Sequence, residues 1–176
     1  MIHYFMLSLE LLLEFISLFL VVGGCTLLLT FLIGPPFLPT PMSIIKELIQ
    51  IANISTNDVV VDLGSGDGRL LIYAARQGAT AKGWEINPFL VLWTYLVVSR
   101  YRVGKRVKVY LQSYHKGDFS DATVVFLFNL PPYMPKLEQK LQRDLQKGTK
   151  IISYKFTLPT LKPTEIPKPG IFVYTI

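Results

Sequence analysis

Residues 59–70 read VVVDLGSGDGRL: an apolar run, then Asp62, then glycines at 64, 66 and 68. Three valines in succession suit a strand covered on both faces of a parallel sheet. The glycines permit a tight turn and let a ligand approach backbone where a Cβ would collide. A helix is expected over residues 70–76, directly after the turn. Strand, glycine turn and helix in this order predict a doubly wound, Rossmann-like α/β sheet with a ligand at the carboxyl end of its first strand.

Two ligand classes use such a turn. The dinucleotide fingerprint spaces its glycines GxGxxG and aims a helix N-terminus at a pyrophosphate. Here the spacing is GxGxG, and the carboxylate of Asp62 stands two residues before the first glycine. A negative side chain there disfavours a pyrophosphate and favours a cation. The second strand, over residues 80–86, carries Glu85 near its end, where a carboxylate can accept the hydroxyls of a ribose. An adenosine with no phosphates and a positive sulfonium satisfies both acids, so S-adenosyl-L-methionine is the expected cofactor. Its candidate contacts are Asp62, Gly64, Ser65, Gly66, Asp67, Gly68, Glu85 and Asn87, with Asp67 equally suited to capping the helix.

Within the 176 residues there is room for one catalytic-sized domain and little more. Charged residues make up only 17%, and the mean hydropathy is +0.40. The front of the chain is responsible: residues 15–33 carry no charge at all. Nineteen residues of helix measure about 28 Å, close to the roughly 30 Å hydrocarbon core of a bilayer. A signal peptide would want a basic leader, and a membrane-surface helix would want a charged face. Neither is present, so residues 1–33 are expected to form a single transmembrane anchor. Both charges before Gly34, Glu10 and Glu14, are acidic, and all 18 Lys and Arg follow. The remainder is therefore more basic than the net +6 of the whole chain, which by the positive-inside tendency puts it on the cytoplasmic side. Cys25 is the only cysteine, and His3 and His115 are far apart, so no metal centre is expected.

Residues 34–41, GPPFLPTP, read as a proline-stiffened linker ahead of a domain over residues 42–176. Thr40 is placed to cap a helix over residues 42–52, with Pro41 at its first position. Further helices are expected over 88–102 and from Pro135 to the neighbourhood of Gly148, and strands over 107–111, 123–128, 150–156 and 171–176. Residues 112–122 are too few for a full crossover helix. The prolines at 159, 163, 167 and 169 predict an extended loop over 157–170. Five cations fall within residues 100–108, near Trp93, Tyr95 and Tyr101. They read as a solvated turn, or as a face resting on anionic lipid with aromatics at the interface.

After the fourth strand comes Asn129-Leu130-Pro131-Pro132-Tyr133-Met134-Pro135, at the position that faces the transferred methyl group in methyltransferases. It invites comparison with the N/D-P-P-Y motif of enzymes that methylate planar amines, although Leu130 shifts Asn129 out of that register. Asn129 alternatively caps a turn, and Pro131 and Pro132 alternatively form a rigid bend.

The segments FLPTP, DLGSGDGR, GWEINP, SRYR and NLPPYMPKLEQKL, in this order, resemble one family. These are the mitochondrial lysine methyltransferases that modify the ATP synthase c-subunit and the adenine nucleotide translocase, together with their prokaryotic relatives. The resemblance spans residues 37–156. It implies a class I methyltransferase fold, S-adenosyl-L-methionine, a membrane location and a lysine of a membrane protein as substrate. Carried over residue by residue, Asp62, Gly64, Gly66 and Glu85 would bind the cofactor, while Asn129, Pro131, Pro132 and Tyr133 would line the methyl-transfer site. Gln112 and Ser113 stand where a family acid often meets the adenine, and the C-terminus is abbreviated. A methyltransferase of small lipophilic molecules and a catalytically silent cofactor-binding module are the alternatives, and a nucleic-acid substrate is disfavoured.

Overall fold

The computed structural model describes the backbone of residues 2–33 and 37–176, and the side chains of residues 6–25 and 37–176. It forms two units, Met1–Pro36 and Phe37–Ile176. Residues 34–36 of the expected linker, and the side chains of 26–33 in the expected span, lie outside the described set. The first unit is one helix, α1 (Ile2–Ile33). Its 20 residues Met6–Cys25 have a mean hydropathy of 2.1, and are long and apolar enough to cross a membrane by length and composition. That stretch lies within the expected anchor of residues 1–33, starts ahead of its uncharged run from Phe15 and takes in both Glu10 and Glu14.

The second unit starts with α2 (Met42–Ala52), whose buried Ile45, Leu48, Ile49 and Ala52 recur at helical spacing along one face. Pro41 is its N-cap and no side chain caps it, so Thr40 does not play the expected part. The helix begins one residue later than a Thr40 cap requires. Lys150 closes the other end of α2, donating from Nζ to the Ala52 carbonyl at 3.0 Å.

Then follow β1 (Val59–Leu63), α3 (Arg69–Arg76), β2 (Thr80–Glu85), α4 (Pro88–Arg100), β3 (Val107–Leu111), β4 (Val124–Leu127), α5 (Met134–Asp144), β5 (Lys150–Tyr154), β6 (Glu165–Lys168) and β7 (Ile171–Thr175). The sheet order is β3-β2-β1-β4-β5-β7-β6. The first five strands are mutually parallel, and β7 lies antiparallel against β5 and β6. Val60 and Val61, both fully buried, point to opposite faces: Val60 packs with α2, α3 and α4, and Val61 packs with Trp84, Phe119 and α5. Two covered faces explain the uninterrupted apolar runs of β1 and β4. The interval after β3 holds only a 3-10 turn, Tyr114–Lys116, as the short spacing predicts.

Residues 157–170 are not one extended loop. Glu165–Lys168 make an edge strand against β7, paired only at Glu165 and Lys168 around an irregularity. Pro167 is tolerated because an edge strand need not donate on its outer side. The preceding segment is pinned by Glu138 of α5, buried at 3% exposure, whose carboxylate accepts the N–H groups of Thr160 and Leu161.

Candidate active site

The turn after β1 is held by its own backbone. Gly64 and Ser65 both donate to the Trp84 carbonyl, at 2.9 and 3.1 Å, which fastens the turn to the carboxyl end of β2. Gly66 has φ +56°, a left-handed conformation that side chains resist. A Cβ there would also come 2.5 Å from the ring of Phe37. The end of the linker thus lies over the turn, which sequence reasoning did not foresee. Arg69 adds a second tie, donating from Nη1 to the Thr40 carbonyl at 2.9 Å.

Ser65 faces inward. Its Oγ is buried without a hydrogen-bond partner, and a Cβ on Gly83 of β2 would lie 2.5 Å from it. Its side chain packs beneath the turn, against the sheet, and leaves the ligand side to backbone.

Glu85 reaches into the same turn: Oε2 accepts the Gly66 N–H at 2.9 Å and Oε1 accepts the Asn87 N–H at 2.8 Å. A carboxylate has about four acceptor positions, so acceptor capacity for hydroxyls remains. Burial raises its pKa against the lowering effect of those N–H groups. Asn87 is the N-cap of α4, accepting from Phe89 and Leu90 through Oδ1, while its buried Nδ2 has no partner. Asp67 grips Arg69 through Nε at 2.8 Å and Nη2 at 2.5 Å. The N-cap of α3 is Gly68, with no side-chain cap. Asp62 lies on β1, one residue before Leu63 and the turn; burial, then the charges of Glu85 and Asp67, push its carboxyl up to about 7. With Asp67 paired to Arg69, the carboxylates of Asp62 and Glu85 set the charge at the turn, which favours a cation over phosphates.

The other half of the edge begins after β4. Asn129 is buried at 3% exposure with Nδ2 unpartnered. Pro131–Tyr133 form a 3-10 turn that leads into α5. The Leu130 carbonyl accepts from Tyr133 at 3.0 Å, and the Pro131 carbonyl accepts from Met134. The carbonyls of Leu130 and Pro131 are therefore already engaged in holding the turn. Tyr133 is half-buried near Tyr114, whose hydroxyl is pushed up to about 12 by burial and by its neighbour.

Three aromatic residues beside this motif escaped sequence reasoning. Phe128 meets Tyr154 edge-on at 5.1 Å and stacks on Phe156 at 6.3 Å. The Lys155 ammonium sits 5.4 Å from the Phe128 ring and 5.7 Å from the Tyr154 ring. Their position at strand ends was the available signal, but apolar residues there read as core. Since β2, β1, β4 and β5 are neighbours in parallel register, Glu85 and this aromatic wall lie on one sheet edge. Three strand spacings, roughly 14 Å, separate the outer two strands.

Comparison with known proteins gives this edge its context. Residues 62–165 match the family model described as the ANTKMT methyltransferase domain. The ATP synthase c-subunit lysine N-methyltransferase of Xenopus laevis is 35% identical over 136 residues, covering 77% of this chain and 60% of that protein. A protein-lysine N-methyltransferase of Saccharolobus islandicus is 33% identical, covering 76% of this chain and 84% of that protein. The crystal structure of an RNA methyltransferase from Salinibacter ruber in complex with S-adenosyl-L-homocysteine superimposes with a TM-score of 0.76 at 34% identity, covering 79% of this chain and 94% of that one. The chain spans about 60% of the length of the frog enzyme. With the turn, the acid at the end of β2 and the strand order all on one class I methyltransferase sheet, the chain belongs to the ANTKMT methyltransferase domain family.

Proposed function

We propose that this chain is an S-adenosyl-L-methionine-dependent protein-lysine N-methyltransferase, tethered in a membrane by α1 and acting on a lysine of a membrane protein. The observation that carries the lysine reading is the aromatic wall of Phe128, Tyr154 and Phe156, next in sequence to Asn129, where the ammonium of Lys155 already rests over the Phe128 and Tyr154 rings. The relatives that methylate lysine in the ATP synthase c-subunit and in archaeal protein support it.

The residues present fit the cofactor. Asp62 has no compensating cation in the crevice, Glu85 keeps free acceptor positions, and the buried amide of Asn87 lacks a partner. The cofactor supplies a methyl group on a cationic sulfur. Asp62, Glu85 and the backbone of Gly64–Gly68 would hold it at the ends of β1 and β2. Asn129 would orient the acceptor amine, and Tyr133 and the aromatic wall would line its approach.

A lysine amine has a reference pKa of about 10.4, and only its neutral form attacks. Burial away from water disfavours the charged form, against the cation–π attraction of the rings that first receive it. Transfer of the cofactor's methyl would shift one positive charge from sulfur to nitrogen and create none, so the site's residues would need no strong base during the displacement. Alignment of amine and methyl therefore carries most of the acceleration, and the proton leaves to water.

The Salinibacter protein's description as an RNA methyltransferase favours a second reading, methylation of RNA. One experiment separates the two. Full-length chain in membranes is supplied with methyl-labelled cofactor, and label is followed into protein, RNA and lipid fractions. Label on a lysine of a membrane protein, located by mass spectrometry, is expected. Label confined to RNA or to lipid extracts overturns the lysine assignment.

A further inference from the structure

On the α3–α4 side, away from the carboxyl edge of the sheet, a cleft of about 690 Å³ is lined by Arg76, Ser99, Arg102, Lys105 and Arg106, with no carboxylate among its walls. None of these four cations forms an ion pair among the described residues; the five ion pairs there lie elsewhere. Two of them are positioned by the fold. The Arg76 guanidinium lies 5.8 Å from the rings of both Tyr73 and Tyr101. Arg106 donates from Nη1 to the Gly78 carbonyl at 2.5 Å. Arg102 and Lys105 are exposed, and neither side chain forms an ion pair among the described residues, so both can meet a ligand.

A second feature adjoins the cleft. Along α4, Leu92, Trp93 and Leu96 are 58%, 55% and 60% exposed. At 3.6 residues per turn they share a side with Arg100, so an apolar stripe runs down the helix into the basic end. From Trp93 to Arg100 the helix rises about 10 Å. That is the depth over which a membrane changes from acyl chains to phosphates.

We infer that this cleft and stripe bind one anionic phospholipid, the phosphate held by Arg102 and Lys105 with Arg76 and Arg106 behind them, and the acyl chains lying along Leu92, Trp93 and Leu96. A free phosphate would neutralise the cations but leave the stripe in water. RNA would stack on Trp93 but gain nothing from Leu92 and Leu96. Only a lipid satisfies both halves, as amphipathic surfaces with basic ends do at anionic interfaces. The inference goes beyond methyl transfer and rests on the membrane-bound reading of α1.

The two tryptophans of the chain make the test direct, because Trp84 is buried and Trp93 is not. Full-length chain in a neutral detergent is titrated with short-chain phosphatidylglycerol, short-chain phosphatidylcholine, inorganic phosphate and an RNA oligonucleotide, and tryptophan emission is followed. Phosphatidylglycerol is expected to shift the emission to the blue, with the other three without effect at equal concentration. The Arg102→Gly, Lys105→Ala double variant should raise its dissociation constant at least tenfold; glycine suits Arg102, whose φ is +57°. Affinity of the same variant for S-adenosyl-L-homocysteine should not change, which reports an intact fold and keeps a failure here separate from a failure of the methyltransferase reading. On the unaltered chain, the phosphatidylglycerol response should weaken steeply with salt. A response equal for phosphatidylcholine, an affinity for inorganic phosphate or RNA matching that for the lipid, or indifference to salt or to the double variant overturns the inference.

Discussion

Glu85 is bonded to the turn it faces: its Oε2 accepts the Gly66 N–H at 2.9 Å, so one carboxylate both shapes the glycine turn and looks onto the ligand crevice. Glu85→Ala leaves that buried N–H unpaired, which costs about 1–3 kcal/mol, and removes the acceptor for ribose hydroxyls. The expected result is a lower melting temperature together with at least a tenfold weaker affinity for S-adenosyl-L-homocysteine by calorimetry. An unchanged affinity at full folding would remove Glu85 from the site.

Asp62 makes cofactor binding pH-dependent. With its carboxyl pushed up to about 7, it is largely neutral at pH 6 and ionised at pH 8. Affinity for the cationic cofactor should rise severalfold over that interval, and Asp62→Asn should flatten the profile at the weak end. Stability runs the other way. A raised carboxyl pKa means the folded chain holds this proton more tightly than the unfolded one, so its stabilising contribution is complete below about pH 4 and is lost as pH climbs through about 7. Melting curves of the ligand-free Asp62→Asn variant should therefore decline less between pH 4 and pH 8 than those of the parent.

Gly66 combines a left-handed backbone with the Phe37 ring close overhead. Gly66→Ala should destabilise by about 1–2 kcal/mol from the backbone alone, plus a steric part. Phe37→Ala should recover the steric part and none of the backbone part, so a double-mutant cycle in denaturant should show a coupling that favours the double variant. Strict additivity would mean that the linker does not cover the turn.

Across the sheet edge, Phe128→Ala is expected to raise KM for a lysine-bearing substrate with little effect on cofactor affinity, because the ring belongs to the wall facing Lys155. Asn129→Ala should instead lower kcat, by about ten- to a hundredfold, equivalent to about 1.4–2.7 kcal/mol. Its Nδ2 has no partner within the fold, so thermal stability should change little. A large stability loss in Asn129→Ala would assign the residue to the turn.

The strand, the glycine turn and the acid at the end of β2 were legible in the sequence because their determinants are local. A run of valines, three alternating glycines and an acid at a strand end each act over a few residues. What escaped depends on distant partners. The inward aim of Ser65 is set by the missing side chain of Gly83 on the neighbouring strand. Phe128 and Phe156 look like core until the sheet order puts β4 beside β5 at an open edge. Thr40 has the chemistry of a cap, yet α2 starts at Met42 and the Thr40 carbonyl serves Arg69 instead. The strand at Glu165–Lys168 was hidden by Pro167 and by the exposure of all four residues, since an edge strand paired at two positions imprints almost no periodicity.

The place of β7 between β5 and β6 bears on how the sheet is assembled during synthesis. It is last of the strands along the chain yet interior in the sheet, so β5 emerges from the ribosome with its hydrogen-bonding border bare and stays so until β7 arrives. Such a border is an invitation to aggregation. A stalled or truncated nascent chain lacking residues 171–175 should therefore aggregate more readily than one that contains them.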